Sequence, residues 1–382
     1  MKRTNLYRNK AEWLQSLSVC QRRNQKLSQM KINYYKVLLK KRFPLAISRG
    51  VRGDSYNVFV SVEKDGIVGW GEAAPGKTEQ ADSPEKVIQE LERLVSTGMD
   101  SLSIYEIEQR ARQLQIAPCA YTGLDIALWD WTDKKAEMPL YQLLGFPKPT
   151  QPTSLTIGIN PPEVVKERVP LLLDGTTVQS LKIKLGSPEG VAADKAMFEQ
   201  VVESCANYKV KLRVDANGGW DLPTAVSMSH WLAERGVSYI EQPLKEGDEA
   251  NLSPLYQQSA LPIYVDESCR FAHNIPQWAQ AVHGINFKLM KCGGITEGLR
   301  IIATAKAFGL KTMVGCMSES SISIAAAAAL SGVLDHIDLD SHFNLAPDPS
   351  EGAPLIEGIT MPSDRPGHGA YLKNEKDVTA NG

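Results

Sequence analysis

Eight short aliphatic segments, regularly spaced through the second half of the chain, constrain the fold more than any other feature. A stretch compatible with a helix separates each segment from the next, and the polar residues that end them are roughly 20–30 residues apart, a length that suits one strand–helix unit. All eight units that a barrel needs are present: SLTIGI, SLKIKL, VKLRVD, VSYIEQ, LPIYVDES, INFKLM, KTMVGC and HIDLD. The sequence therefore predicts a (β/α)8-type barrel, a modified TIM barrel, over residues 150–350 rather than a doubly wound sheet.

The 382 residues leave room for a second domain before the barrel. Residues 30–145 begin with strand-like alternation in INYYKVLL, NVFVSVEKDG and IVGWGEAAP, where KDG predicts a hairpin turn. Ser83 and Pro84 then predict the start of a helix, and further helical patterns precede the proline-rich linker GFPKPTQP. We expect an N-terminal α+β capping domain, completed by residues from about 355 to 375.

Residues 1–29 are basic, with seven Lys or Arg residues against the single acid Glu12. Polar residues interrupt the apolar stretch near Trp13, so the segment does not resemble a secretory signal. It also lacks the aromatic interleaving of an arm that binds nucleic acid. We interpret it as a disordered extension or a start-site artefact and expect it to have no role in function.

Composition excludes several classes of partner. Lys and Arg total 42 against 44 Asp and Glu, a net charge of −2, so no general positive field exists for nucleic acid or an anionic membrane. No apolar stretch reaches the length of a membrane span. The six cysteines form no C-x-x-C pair, which argues against a zinc site or a disulfide framework and predicts a cytoplasmic protein. A barrel with such a cap often forms homo-oligomers, but nothing in the sequence specifies one.

Three acids end three successive predicted strands: Asp215 in RVDANGGW, Glu241 in YIEQPL and Asp266 in VDESC. Adjacent strands of a sheet lie about 4.8 Å apart, so the three carboxylates should converge near one point. Converging carboxylates repel one another, and a hard divalent cation with oxygen ligands resolves the repulsion. The sequence predicts a metal site here, most plausibly for Mg²⁺.

Lysines supply a second element of the site. Lys182 and Lys184 in SLKIKLG are two residues apart, so both side chains point to the same side of the second strand. Two neighbouring ammonium groups lower each other's pKa, which suits a lysine that acts as a base near neutral pH. Lys288 ends the sixth strand in INFKLM. Because the second and sixth strands are four apart in a ring of eight, a substrate between them would meet a lysine on each face.

The eighth strand carries two more acids, Asp338 and Asp340 in HIDLDSH, which share a face by the same alternation. This strand lies opposite the fourth strand, so the two acids face the expected cation across the barrel mouth. They could take up a cationic group of the substrate. On its own, a D-x-D motif is more often part of a turn or a calcium site.

Together these groups describe a site for proton transfer. A metal ion can bind a substrate carboxylate and stabilise the charge that develops when the α-proton leaves, which gives an enediolate. Lysines on opposite faces can remove that proton from one side and return it from the other. The predicted reaction is a 1,1-proton transfer, that is, racemisation or epimerisation by two bases.

These motifs resemble those of the muconate lactonizing enzyme subgroup of the enolase superfamily, a superfamily that uses a Lys or His base with Mg²⁺. The resemblance covers roughly residues 30–370. It rests on K-x-K, the three strand-end acids, NFKLMKCGG, MVGCMSES and the cap motifs GWGEAAP, ALWDW and PLYQLLG. The D-x-D motif makes the chain most similar to the dipeptide epimerases of the Ala-Glu epimerase kind.

The resemblance implies a Mg²⁺-dependent epimerase that inverts the α-carbon of the C-terminal residue of a dipeptide. Lys184 and Lys288 would be the acid/base pair, and the D-x-D motif would bind the free ammonium of the dipeptide. The other substrate-binding residues that it implies are Lys182, for the substrate carboxylate, and Thr156 and Cys316, which line the site.

Other interpretations stay open. The same subgroup contains N-acyl amino acid racemases, o-succinylbenzoate synthases and muconate cycloisomerases, whose substrates offer no ammonium to the D-x-D motif. A barrel that only binds a ligand or a partner is a further alternative, but such a scaffold has no physical reason to keep like charges together.

Substrate preference is not determined by these motifs. In relatives, specificity comes from a cap loop that closes over the barrel mouth, here FPLAISRGVRGDS. Arg49 or Arg52 in that loop could meet an acidic side chain of the substrate or could be solvated. The sequence does not distinguish acidic, apolar and cationic side chains.

Overall fold

The structure, a computed structural model, describes residues 29–374. This part of the chain begins with five strands. They are β1 (Lys31–Leu39), β2 (Leu45–Ile47), β3 (Gly50–Arg52), β4 (Ser55–Lys64) and β5 (Ile67–Ala73). β1, β4 and β5 form an antiparallel sheet in that order, and β2 and β3 form a separate hairpin. Asp65 and Gly66, with φ angles of 55° and 75°, make the tight turn that the KDG motif predicts. The prediction for residues 1–29 lies outside the described residues, apart from residue 29.

Four helices complete this N-terminal region: α1 (Pro84–Val95), α2 (Ile104–Gln113), α3 (Pro118–Lys135) and α4 (Leu140–Leu143). As predicted, Ser83 caps α1, and its hydroxyl accepts a hydrogen bond from the backbone N–H of Lys86. α3 crosses the sheet so closely that a Cβ atom on Gly71 would lie 2.0 Å from the carbonyl oxygen of Gly123. Gly71, the second glycine of GWGEA, therefore permits the contact between the sheet and α3.

The eight predicted barrel strands are all present: β6 (Leu155–Ile157), β7 (Ser180–Lys184), β8 (Lys211–Asp215), β9 (Ile240–Glu241), β10 (Ile263–Val265), β11 (Gly284–Lys288), β12 (Lys311–Gly315) and β13 (His336–Asp338). They pair in parallel and in sequence order. A bridge between Thr153 and Ile337 joins the first strand to the last. The sheet is thus almost closed into a barrel with a strand-rich cap, which confirms the predicted fold class.

Helices follow the strands, as the spacing predicts: α5 (Pro162–Leu173), α6 (Val191–Ser204), α7 (Leu222–Ala233), α8 (Leu252–Gln258), α9 (Ile275–Trp278), α10 (Leu289–Cys292), α11 (Ile295–Ala307) and α12 (Ser321–Leu330). Leu181 and Ile183 of β7 belong to the main hydrophobic core, on the side of the strand opposite to Lys182 and Lys184. Burial of the aliphatic side chains thereby directs both lysines away from the core. None of the helices formed by residues 29–374 is long and apolar enough to cross a membrane.

After the barrel the chain returns to the cap through four short strands: β14 (Ser350–Glu351), β15 (Leu355–Ile356), β16 (Ile359–Thr360) and β17 (Tyr371–Leu372). β14 pairs with β17, and β15 pairs with β16. The backbone N–H of His368 donates a hydrogen bond to Asp130 on α3. This contact fits a cap that the C-terminal residues complete, while the domain boundaries themselves stay a prediction.

Candidate active site

A cavity of about 1260 Å³ opens at the carboxyl ends of the barrel strands, and the β2–β3 hairpin of the cap forms part of its wall. Six predicted site residues line it: Thr156, Lys184, Lys288, Cys316, Asp338 and Asp340. The other four are fully buried: Lys182, Asp215, Glu241 and Asp266. Lys182, Asp215 and Asp266 each form an ion pair with a lining residue, and Glu241 forms one with Lys182. The structure therefore brings all the predicted site residues together at one end of the barrel.

Asp215, Glu241 and Asp266, here termed the carboxylate arc, stand at the ends of three neighbouring strands. Asp215 and Glu241 are the last residues of β8 and β9, and Asp266 directly follows β10. Because parallel strands end at the same edge of a sheet, the three carboxylates lie close enough to affect one another's ionisation. Burial, and then repulsion from Asp215, raise the pKa of Glu241 to about 7.

Lysine side chains neutralise the arc. Lys184 Nζ lies 2.5 Å from Asp215 Oδ2, and Lys288 Nζ lies 2.8 Å from Asp266 Oδ2. Lys291 Nζ lies 2.8 Å from Asp266 Oδ1, so this lysine, to which the sequence assigns no role, also belongs to the site. Burial alone would raise the pKa of Asp215 and of Asp266, but the lysines outweigh burial and lower both.

Lys182 lies between the arc and the acids of the eighth strand. Its Nζ is 2.7 Å from Glu241 Oε2, 2.5 Å from Asp338 Oδ2 and 3.4 Å from Asp215 Oδ2. The prediction that the two lysines of the K-x-K motif lower each other's pKa is wrong for this residue. Burial opposes its charge, but the three carboxylates outweigh burial and raise the pKa of Lys182 well above its usual value.

The donor chemistry of the arc fits a hard divalent cation. Its ligand atoms are all oxygen, and the fully buried Glu241 Oε2 and Asp266 Oδ2 each have a lysine ammonium group beside them as a cationic partner, at 2.7 and 2.8 Å. Within residues 29–374, no three acidic, His or Cys side chains surround one point as a ready-made metal site would, and lysine ammonium groups stand beside the carboxylates instead. Asp215, Glu241 and Asp266 therefore stay the predicted metal ligands.

Asp338 and Asp340, here termed the acidic pair, have different surroundings. Asp338 is buried, its Oδ2 pairs with Lys182, and its Oδ1 accepts a hydrogen bond from Ser154 Oγ at 2.6 Å. Asp340 Oδ2 accepts one from the backbone N–H of Thr156 at 2.6 Å, and it has no ion pair within the described part of the chain. Burial, and then repulsion from Asp338, raise the pKa of Asp340 to about 6. An acidic group thus faces the cavity without a counter-ion.

The loop after β12, which carries Cys316, is held by the cap. Cys316 Sγ lies 3.8 Å from Asp340 Oδ1. Glu72, a fully buried residue of β5, accepts hydrogen bonds from the backbone N–H of Ser320 at 3.0 Å, from its hydroxyl at 2.7 Å, and from Asn57 Nδ2 at 2.7 Å. The motifs GWGEAAP and MVGCMSES contain Glu72 and Ser320, but nothing in either motif indicates that these residues meet, since 248 positions separate them.

Family comparison matches nearly the whole described chain. Residues 29–145 match the mandelate racemase / muconate lactonizing enzyme N-terminal domain, and residues 165–376, more than half of the chain, match the enolase C-terminal domain-like family. The chain belongs to the enolase superfamily. This result confirms the resemblance, including that to the muconate lactonizing enzyme subgroup.

Relatives of this enolase superfamily member are similar over almost their full length. The Hydrophobic dipeptide epimerase of Flavobacteria bacterium (strain MS024-2A) is 69% identical, over 91% of this chain and 99% of the relative. That of Roseobacter litoralis is 55% identical, over 90% of this chain and 100% of the relative. The solved structure of the Dipeptide Epimerase from Enterococcus faecalis V583, complexed with Mg and L-Leu-L-Tyr, has a TM-score of 0.80 at 31% identity, covering 90% of this chain and 99% of that chain. The predicted enzyme class, an isomerase, is confirmed.

Proposed function

We propose that this enzyme is a Mg²⁺-dependent epimerase of hydrophobic dipeptides. It would invert the α-carbon of the C-terminal residue by two-base proton transfer through an enediolate. The observation that carries the proposal is the 69% identity, over 99% of its length, to a Hydrophobic dipeptide epimerase. The apolar preference comes from that relative, because the residues at the strand ends do not define it.

Lys184 and Lys288 are the proposed bases. Lys184 on β7 lies against Asp215, and Lys288 on β11 lies against Asp266. β7 and β11 are four strands apart in the ring of eight, which supports a substrate held between them with one lysine on each face. Each lysine lines the cavity with only 6% exposure, which restricts competing protonation by bulk water.

The carboxylate arc would hold Mg²⁺ through Asp215, Glu241 and Asp266. When bound, the ion supplies positive charge that binds the substrate carboxylate and stabilises the charge that develops as the α-proton leaves. Lys182, held between Glu241 and Asp338, adds a second positive charge at the same edge and is the proposed partner of the substrate carboxylate.

The acidic pair would bind the other end of the dipeptide. Asp338 and Asp340 line the same cavity as the two bases. Because Asp340 has no ion-pair partner among residues 29–374, the free ammonium of a dipeptide would supply the missing charge, and the N–H of Thr156 orients the carboxylate that receives it. N-acyl amino acids, succinylbenzoate precursors and muconate have no such ammonium, so this geometry favours dipeptides over the alternative substrates.

Deuterium incorporation tests the proposal directly. The full-length protein is incubated in D₂O with Mg²⁺ and pooled L,L-dipeptides that have apolar, acidic or cationic C-terminal residues. We expect apolar dipeptides to gain one deuterium at the C-terminal α-carbon with inversion, and a chelator to stop the reaction. Exchange in N-acyl amino acids but in no dipeptide would contradict the proposal.

We also propose that the protein works in the cytoplasm. The cysteines within residues 29–374 are free thiols, which fits a reducing compartment. A homo-oligomer stays a prediction, and size measurement in solution by light scattering tests it.

A further inference from the structure

The β2–β3 hairpin of the cap is tied to the barrel at two places. Near its start, the backbone N–H of Ile159, just after β6, donates a hydrogen bond to the carbonyl of Ala46 at 2.8 Å. At its tip, Ser48 Oγ and Arg49 Nη1 both donate to the carbonyl of Asn217, each at 2.8 Å. These contacts fix the hairpin along the rim of the cavity that its own side chains line.

An ion pair strengthens the contact at the tip. Arg49 Nη2 lies 2.6 Å from Glu267 Oε1, and the Glu267 side chain is only 3% exposed. The other oxygen of Glu267, Oε2, accepts no hydrogen bond. Lys291 Nζ lies farther from Oε1 than Arg49 does, at 3.6 Å. A charge-assisted hydrogen bond to a buried carboxylate is stronger than an ordinary surface contact, because its loss leaves the buried charge poorly compensated.

Arg49 contacts two loops that carry the carboxylate arc. Asn217 lies two residues after Asp215, and Glu267 directly follows Asp266. Arg49 therefore joins the hairpin to the loops after β8 and β10 at the same time. Arg49 thus makes specific contacts with the barrel, while 38% of its side chain stays exposed to solvent.

We propose that Arg49 is a latch, a positioning residue that holds the β2–β3 hairpin closed over the cavity and does not bind the substrate side chain. Both of its terminal nitrogens are already engaged, by Asn217 and Glu267. The hairpin instead presents apolar Leu45 and Ile47 to the cavity. The inference rests on the proposed function and deepens it, since the latch commits the charge of Arg49 to Glu267 and leaves apolar Leu45 and Ile47 along that part of the wall.

Arg52 offers a matched control on the same hairpin. It carries the same charge, pairs with Leu45 across the hairpin and lines the same cavity. It is exposed, and within residues 29–374 it makes no ion pair. Replacing Arg52 therefore changes the net charge as replacing Arg49 does, but it leaves the latch intact.

Hydrogen–deuterium exchange of the full-length, Mg²⁺-loaded enzyme tests the latch without using activity. Arg49→Ala should speed amide exchange in residues 45–52 by about 10-fold or more, because the hairpin loses its charge-assisted contact. Arg49→Lys, which keeps the charge but not the two-armed geometry, should be intermediate, and Arg52→Ala should match the wild type. Equal exchange in Arg49→Ala and Arg52→Ala would overturn the proposal. If Arg49→Ala does not fold, the comparison of Arg49→Lys with Arg52→Lys carries the test.

Kinetics with L-Leu-L-Tyr and L-Ala-L-Glu distinguish a latch from a substrate ligand. Arg49→Ala should raise KM for L-Leu-L-Tyr about 10-fold with a smaller change in kcat, because the wall of the site is no longer held in place. Selective loss of L-Ala-L-Glu turnover, with L-Leu-L-Tyr unaffected, would show that Arg49 binds an acidic side chain and would overturn the latch. If the wild type turns over no dipeptide, the proposed function fails while the exchange experiment still decides the latch.

Discussion

The carboxylate arc and the acidic pair are two groups of acids at the mouth of one barrel, and they are neutralised in different ways. Every carboxylate of the arc is fully buried and lies within ion-pair distance of a lysine. In the acidic pair, Asp338 shares Lys182 with the arc. Asp340 faces the cavity with the backbone N–H of Thr156 and the Cys316 thiol as hydrogen-bond donors, and it forms no ion pair within the described residues.

This difference shows which charge is available to a ligand from solution. A buried carboxylate must meet a cation or become protonated, and lysines supply that cation throughout the arc. Asp340 instead forms no ion pair with a lysine or arginine of residues 29–374, which marks a position where an external cation would be stabilising. We infer that the arc serves the chemistry at the α-carbon, whereas the acidic pair recognises the amino end of the substrate.

The largest expected effect comes from removing a carboxylate of the arc. Glu241→Gln should lower kcat/KM about 10⁴-fold, since the stabilisation of the developing negative charge would be lost. Deuterium exchange measures the rate, and calorimetric titration should show weaker Mg²⁺ binding. Asp335→Asn, at the other end of the barrel where Asp335 pairs with Lys311, should keep its activity. Full turnover with unchanged Mg²⁺ affinity in Glu241→Gln would remove the arc from the mechanism.

Substituting either base should reveal which face of the substrate each lysine acts on. Lys184→Ala and Lys288→Ala should each abolish net inversion and lower kcat about 10³-fold. Each variant should still exchange the α-proton of one stereoisomer, and the stereoisomer should differ between them. NMR of L,L- and L,D-dipeptides in D₂O follows both reactions. Full inversion in both variants would exclude the two-base mechanism.

Asp340→Asn tests the difference between the acidic pair and the carboxylate arc, because it removes one charge of the pair and leaves the arc intact. KM for dipeptides should rise about 10- to 100-fold, as expected for a lost charge-assisted contact. Mg²⁺ affinity should not change, and an N-acetylated dipeptide, which has no ammonium, should respond little. A parallel loss of Mg²⁺ affinity would mean that the acidic pair and the arc act as one site.

The pH dependence of the reaction should follow Asp340. Because its pKa is raised to about 6, the carboxylate is charged above that pH and neutral below it. kcat/KM for dipeptides should therefore fall about tenfold per pH unit below about 6, since this ratio reports groups of the free enzyme. At saturating Mg²⁺, which would keep Glu241 ionised although its pKa is otherwise raised to about 7, the acid limb should disappear in Asp340→Asn. If the limb persists there, another group is responsible for it.

The smallest effect is expected from the N-terminal extension. All the predicted site residues lie at or after position 156 of the sequence. Deleting residues 1–29 should change kcat/KM less than about 2-fold, within the range of surface changes. A large loss in the steady-state assay would show that the basic segment contributes to the site.

Most of the barrel and the positions of its site residues could be predicted from local patterns. Apolar Leu181 and Ile183 pack into the core, so alternation along the strand directs Lys182 and Lys184 to the opposite side. Parallel strands end at one edge, which brings Asp215 beside Glu241 without knowledge of any tertiary contact. Regular spacing and alternation therefore determined the fold class and the row of strand-end residues.

Only the tertiary structure decided which charged side chains form ion pairs with one another. Lys182 and Asp338 are 156 positions apart, and Arg49 and Glu267 are 218 positions apart. The predicted direction of the Lys182 pKa was wrong because its sequence neighbour is a lysine, whereas closure of the barrel surrounds it with carboxylates. The sequence alone determined the barrel and the residues at its mouth. Closure of the barrel and docking of the cap decided their ionisation and the latch, since burial and ion pairing depend on neighbours that are distant along the chain.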